Sequence, residues 1–227
     1  EVQDGATFSM NYDSFNEKFL TGASICGQVR LLDGSILESS MIYSHSNYLA
    51  NGEEVRYRSE PVVSASGNVT VKGQVFIRGD EGVSSEEFPG QAGLSVTNGT
   101  LTLADGAVLA VYGGGNSSLT LYGGDAIKLN NATITGKGKL IAVGGAGFWG
   151  NGGNAVSGNG TISTDEAYIH GGISCKKQPG KTLTENVVLD KEVTNAALVE
   201  GVTWTTNEPE FPYWSSIIAP PDLTKYP

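Results

Sequence analysis

Five short segments share one pattern: Asn68-Val-Thr-Val71, Asn98-Gly-Thr-Leu101, Asn131-Ala-Thr-Ile134, Asn159-Gly-Thr-Ile162 and Asn186-Val-Val-Leu189. Their asparagines are spaced by 30, 33, 28 and 27 residues. Asp33-Gly-Ser-Ile36 fits the same template one step upstream, and Asp4-Gly-Ala-Thr7 is a degenerate start. A unit of this length cannot bury an apolar face alone, so it must stack on copies of itself. The fourth residue is always Val, Leu or Ile, which places it in the core. Alternation then turns the second residue inward and the threonines outward. Asparagine at the head of the segment suits a corner, because it tolerates the left-handed region and bonds nearby backbone.

A second ladder trails the first by roughly a dozen residues and ends in glycine. Its members are Val75-Phe-Ile-Arg-Gly79, Leu109-Ala-Val-Tyr-Gly113, Leu140-Ile-Ala-Val-Gly144, Ala167-Tyr-Ile-His-Gly171 and Ala197-Leu-Val-Glu-Gly201. A third strand follows in Gly93-Leu-Ser-Val96, Asp125-Ala-Ile-Lys128 and Asn154-Ala-Val-Ser157. Three short strands per repeat, each closed by a turn signal, describe one coil of a three-sided solenoid. Crossovers between parallel strands of one sheet are nearly always right-handed. The reading is an all-β, right-handed, single-stranded parallel β-helix of about five to six coils. A propeller blade needs four strands and a longer repeat, no 3.6-residue period supports a helical solenoid, and a sandwich leaves the aligned Asn-x-Thr positions unexplained. Two columns follow as expectations: Asn68, Asn98, Asn131, Asn159 and Asn186 in one, and Gly79, Gly113, Gly144, Gly171 and Gly201 in the other. The glycines are expected to supply the positive φ of the next corner.

The ends depart from the repeat. Residues 1–65 are rich in aromatics (Phe8, Tyr12, Phe15, Phe19, Tyr43, Tyr48 and Tyr57) and read as an N-terminal cap with the first irregular coils. Residues 66–201 carry the regular coils. Residues 202–227, with Trp204, Phe211, Tyr213, Trp214 and five prolines, read as a cap lying across the last coil. The whole of 1–227 is taken as one domain. Hydrophobic residues make up 39% of the chain, enough to pack a core. A formal net charge of −10 at pH 7 repels phosphate backbones and argues against a nucleic-acid partner. No apolar run reaches the length of a membrane span. Cys26 and Cys175 lack metal-ligand spacing and sit far apart in the solenoid, so two free, buried thiols are expected. The chain starts at Glu1, consistent with an upstream segment removed, either a cleaved signal peptide or a boundary of the sequence.

The run from Asn68 to Gly172 includes Gly123-Gly-Asp-Ala-Ile127, Asn131-Ala-Thr-Ile-Thr-Gly136 and Gly144-Gly-Ala-Gly-Phe-Trp-Gly-Asn-Gly-Gly153. It resembles the glycine-rich β-helix repeats of bacterial secreted surface proteins, in the broad pectate-lyase-like superfamily with its carbohydrate-binding and adhesin-type modules. The resemblance covers about half the chain and rests on low-complexity motifs. It implies a bacterial, secreted or cell-surface protein. Because that superfamily holds lyases and hydrolases beside non-catalytic binders, activity must be read from sites.

Four candidate sites emerge. A polysaccharide lyase or glycoside hydrolase would need acids converging on one face, and Asp125, Asp165 and Glu166 are the candidates. Asp125 and Asp165 fall at different registers of the repeat, and no arginine follows Arg78, so the reading leans away from an enzyme. No cofactor is expected; Asp80, Glu81 and Asp125 are the candidates for calcium, and Gly144–Val156 lacks the aspartate of calcium-binding β-rolls. Thr100, Thr102, Thr133, Thr135, Thr161 and Ser163, extended by Thr70 and Lys72, form a hydroxyl array that an ice-binding face or a plain exposed strand would present alike. Arg78, Tyr112, His170 and Glu200 form a mixed outward ladder. With Tyr122, Phe148 and Trp149 in nearby turns, it offers stacking groups and donors suited to sugars. Asn68, Asn98, Asn131 and Asn159 match glycosylation sequons, yet their repeat phase points to a structural corner. The function expected is a non-catalytic module that binds an extracellular glycan or host-surface component, or mediates adhesion. The enzyme is the alternative, and a structural spacer or ice-binding face the next.

Overall fold

The computed structural model describes residues 7–9, 29–43, 47–48, 54–55, 60–80, 89–116, 122–147, 149–174, 177–191, 193 and 195–201. Among them there is no helix. The strands, in chain order, are β1 (Thr7–Ser9), β2 (Val29–Leu31), β3 (Ile36–Glu38), β4 (Met41–Tyr43), β5 (Asn47–Tyr48), β6 (Glu54–Val55), β7 (Val63–Ser66), β8 (Val69–Lys72), β9 (Gln74–Arg78), β10 (Leu94–Thr97), β11 (Thr100–Leu103), β12 (Val108–Tyr112), β13 (Ile127–Val143), β14 (Val156–His170), β15 (Asn186–Leu189) and β16 (Asn195–Val199). Apart from the antiparallel pair β5–β6, every pairing is parallel and joins a strand to its counterpart one repeat away. This is a parallel β-solenoid.

Three faces wind around one core. β2, β7, β10 and the starts of β13 and β14 form the first face. β3, β8, β11, the middles of β13 and β14, and β15 form the second. β4, β9, β12, the ends of β13 and β14, and β16 form the third. In β13 and β14 a single strand turns two corners, so three expected strands merge into one. The stack amounts to about four coils, slightly fewer than the five to six expected. Coils built on β7–β9, β10–β12, β13 and β14 are paired on both sides, whereas β15 and β16 pair only with β14. Residues 29–43 already run in register with the coils above them. Residues 10–28 and 202–227, including Cys26, and also Cys175, lie outside the described residues, as do the greater part of the expected N-terminal cap and the whole C-terminal one.

Alternation builds the core. Leu101, Leu103, Leu109, Ile127, Ile134, Leu140, Ile162 and Ile169 have essentially no exposed surface, each worth about 1.5–3 kcal/mol of burial. The Asn-x-Thr segments behave as expected, with Val69, Ala132 and Val187 inward beside the fourth-position aliphatics. Outward threonines stack in register: Thr100 with Thr133 and Thr161, and Thr70 with Thr102, Thr135 and Ser163. Lys72 pairs with Glu38 and falls beyond both columns.

Four details correct the expected columns. Asn98 and Asn131 take φ of 50° and 49°, but the matching residue one coil below is Gly67 (φ 76°), which puts Asn68 one step out of line. Asn159 stands in register with Asn186 below a bulge that pairs it with Asn130 rather than Asn131, and the expected column is kept there only by its side chain, whose Nδ2 donates to Asn131 Oδ1 at 2.9 Å. Gly79, Gly113, Gly144 and Gly171 are stacked, but Glu200 rather than Gly201 takes the next position. Positive φ occurs instead at the corners flanking the second face, at Gly34, Gly67, Asn98, Asn131 and Gly158 on one side and Ser39, Gly73, Gly106 and Gly136 on the other. The terminal glycines are required for a different reason, which shapes the site.

Candidate functional site

Where the third face returns to the first, the coil closes by backbone alone. Gly114 N donates to Gln91 O at 2.8 Å, Gly124 N to Gly114 O at 2.7 Å, and Gly145 N to Gly124 O at 2.8 Å. The series continues with Gly153 N to Gly145 O, Gly172 N to Gly153 O, Gly180 N to Gly172 O and Gly201 N to Gly180 O, at 2.7–3.1 Å. Outgoing and returning chains alternate as donor and acceptor, so one line of hydrogen bonds climbs the solenoid axis. A Cβ on Gly145 would collide with the Gly114 carbonyl, and one on Gly113, Gly144 or Gly171 with the carbonyls of Gly124, Gly153 or Gly180. Glycine stands here because two backbones approach too closely for any side chain.

This seam divides each central coil into the apolar three-sided core and a small second lobe. The lobe is itself laddered: Asn116, Gly147 and Ser174 bridge in parallel on the outgoing arm. On the return arm Gly90 N, Gly123 N and Gly152 N donate to the carbonyls of Tyr122, Asn151 and Gln178. Buried Ser174 fixes one lobe turn, donating to Gly150 O and accepting from Lys177 N.

The return arm carries a motif of which only Tyr122 and Asp125 stand out in the sequence. Tyr122-Gly-Gly-Asp125, Asn151-Gly-Gly-Asn154 and Gln178-Pro-Gly-Lys181 place a polar or aromatic residue on each side of a seam doublet, coil after coil. The recurring doublet was the signal available for finding them. Tyr122 is 54% exposed, and Asn151, Gln178 and Lys181 are also exposed. Asp125 Oδ1 accepts from Asn154 N at 2.8 Å and from Asn154 Nδ2 at 3.1 Å, while its Oδ2 accepts from Ser157 Oγ at 2.6 Å. Asn154 Oδ1 in turn accepts from Lys181 N, and Asn151 Oδ1 from Gln178 N. The ladder therefore repeats at the inter-strand spacing of about 4.8 Å with its side chains already oriented.

The other candidates fall elsewhere. Arg78, Tyr112 and His170 share one column of the third face, completed by Val143 and Val199. Glu200 falls outside that column and accepts from Thr182 N and Oγ1. All three column members are half-buried; Tyr112 packs on Phe76 and His170 stacks on Tyr168. The neighbouring outward positions are apolar, and Ala110 and Ile141 are almost completely covered, at 3% and 0% exposure. This flank and Tyr122 approach the seam from its two different arms. Trp149 is half-buried in the lobe, and Phe148 lies outside the described residues. Asp125 precedes the first face whereas Asp165 and Glu166 follow the second, so the three acids do not converge. Glu166 pairs with Lys139 at 3.4 Å. Among the described residues no three His, Cys, Asp or Glu side chains group as metal ligands; Asp80 lies beside Gln91, and Glu81 is outside them. No helix among them is long and apolar enough to cross a membrane. Comparison with models of known protein families, with curated proteins and with solved structures finds no match to this chain.

Proposed function

We propose that the chain is a non-catalytic β-helix module of a bacterial surface or secreted protein, binding an extracellular glycan and so mediating adhesion. The return-arm ladder carries this reading. Sugars are recognised by planar donors and acceptors flanking an aromatic ring, held rigid before binding so that little ordering entropy is lost. Tyr122, Asn151, Gln178, Asp125, Asn154 and Lys181 supply that combination on adjacent coils, with inter-coil hydrogen bonds as the preorganising device. The glycine-rich repeat that resembles carbohydrate-binding β-helices supports the same reading. So does the placement of Asp125 before the first face and of Asp165 and Glu166 after the second, which sets these three acids at different corners of the coil.

A glycan array probed with wild type, Tyr122→Ala and Asn151→Ala tests it. At least one glycan class should be retained by wild type, and Tyr122→Ala should weaken it about tenfold, equivalent to about 1.4 kcal/mol. A wild type that binds nothing, or binding indifferent to both substitutions, would overturn the proposal. Release of reducing or unsaturated ends from pectin or xylan, lost in Asp165→Asn, would transfer the function to the enzymatic alternative.

A further inference from the structure

The return-arm ladder has a direction and a width, and both restrict what can lie on it. Gly90 N, Gly123 N and Gly152 N donate to the carbonyls of Tyr122, Asn151 and Gln178, which sets Pro89, Tyr122, Asn151 and Gln178 in one column. Gly93 N, Ala126 N and Ala155 N donate to the carbonyls of Asp125, Asn154 and Lys181, which sets Ala92, Asp125, Asn154 and Lys181 in a second. In the upper coils the strip between the columns is Gly123-Gly124, Gly152-Gly153 and Pro179-Gly180, which raises no side chain but the proline ring. Gly152 and Pro179 are partly exposed along it. The result is a furrow parallel to the solenoid axis, with a backbone floor between side-chain rims. Those rims are three residues apart, so at most about 10 Å separates their backbones, the width of a single sugar chain. The two ends of the furrow differ. Pro89 and Tyr122 bring apolar ring faces to the lower end, whereas Asn151, Gln178 and Lys181 bring amides and an ammonium to the upper.

We propose that the furrow takes a neutral, unbranched polysaccharide whose rings are joined through equatorial bonds, lying along the solenoid axis with one ring per coil. This rests on the glycan-binding reading of the return arm and narrows it to one class of chain. Equatorial bonds at both ends of a ring give a straight, flat ribbon that advances by close to one inter-strand spacing, about 4.8 Å, per sugar. Successive rings then meet equivalent positions of successive coils: the Tyr122 ring first, then the amides of Asn151 and Gln178. Axial bonds curl a chain away from a straight ladder after a ring or two. A polyuronate carries a carboxylate on every sugar, which a protein of formal charge −10 repels, and Asp125 stands on the rim itself. The ladder is held rigid by its own bonds from Asn154 to Asp125 and from Lys181 N to Asn154 Oδ1, so a straight ligand is fitted by a straight site.

Calorimetric titration with cellulose and chitin oligosaccharides of increasing length tests this. Affinity should climb with each added sugar until the chain spans Pro89 to Gln178, about four rings at one per coil, and then level off. Tyr122 and Gln178 stand two coils apart, about 10 Å along the axis, so a disaccharide seated on the aromatic ring does not reach both. Tyr122→Ala should therefore weaken every length. Gln178→Ala keeps the backbone N–H that bonds Asn151. It should leave the disaccharide unchanged and weaken the tetrasaccharide about threefold to tenfold, the size of one hydrogen bond. Oligosaccharides of amylose and polygalacturonate, whose links include axial bonds, should bind about tenfold more weakly or less. Glycan binding that ignores length, an equal loss from Gln178→Ala at every length, or a preference for branched, axially linked or acidic chains would overturn this inference and leave the glycan-binding reading standing. Failure to bind any glycan would remove both.

Discussion

At Asn98 and Asn131 the backbone turns left-handed with a side chain attached, and at Gly145 it needs no unusual φ but leaves no room for a side chain at all. These are two different demands, and they respond differently to alanine. Asn131→Ala should cost about 1–2 kcal/mol, the penalty of a left-handed alanine, with loss of the bond from Asn159 added; Asn131→Gly should be milder. Gly145→Ala should cost about 3 kcal/mol or more, because the obstructing atom is a backbone carbonyl that cannot rotate away. Gly106→Ala is the control: its φ is +68° but nothing lies within 4 Å of a new Cβ, so about 1 kcal/mol is expected. Urea denaturation of the four variants orders them.

At the scale of the element, face assignment is the testable property. Ile134→Ala, from the inward side of β13, should lose about 2–5 kcal/mol, whereas Thr133→Lys on its outward side should stay within about 0.5 kcal/mol; thermal melts distinguish the two. This much was legible in the sequence, because strand alternation and a repeated Asn-x-Thr-aliphatic phase fix which side each residue takes. The threonine columns followed from the same phase. The seam did not, since its partners, such as Gly114 and Gly124, meet only after the chain has left the core and returned. A glycine required by φ and one required by close approach look the same in sequence. Of the seam's flanking ladder only Tyr122 and Asp125 stood out, and Asn151, Gln178, Asn154 and Lys181 did not, although the doublets between them repeat visibly once the seam is known. Asn68 was misplaced because its coil turns the corner one residue short, a difference that spacing averaged over repeats conceals.

Across the whole molecule, stability is a sum over coils and their contacts. The coils of β13 and β14 hold the longest shared register, and β16 the most exposed. Native-state hydrogen exchange should therefore be slowest at Ile134 and Leu140 and fastest at Leu198 and Val199; uniform protection would mean that the stack opens as one unit. The seam has a further consequence for how such a chain can change. Residues 115–122, 146–151 and 173–178 are bracketed by backbone that bonds to backbone, so the core is indifferent to what those stretches contain. They already differ in length and composition from coil to coil. New sequence spliced between the doublets should therefore leave the melting temperature of the scaffold nearly unchanged. In that sense the glycines separate a part under constraint from a part open to selection.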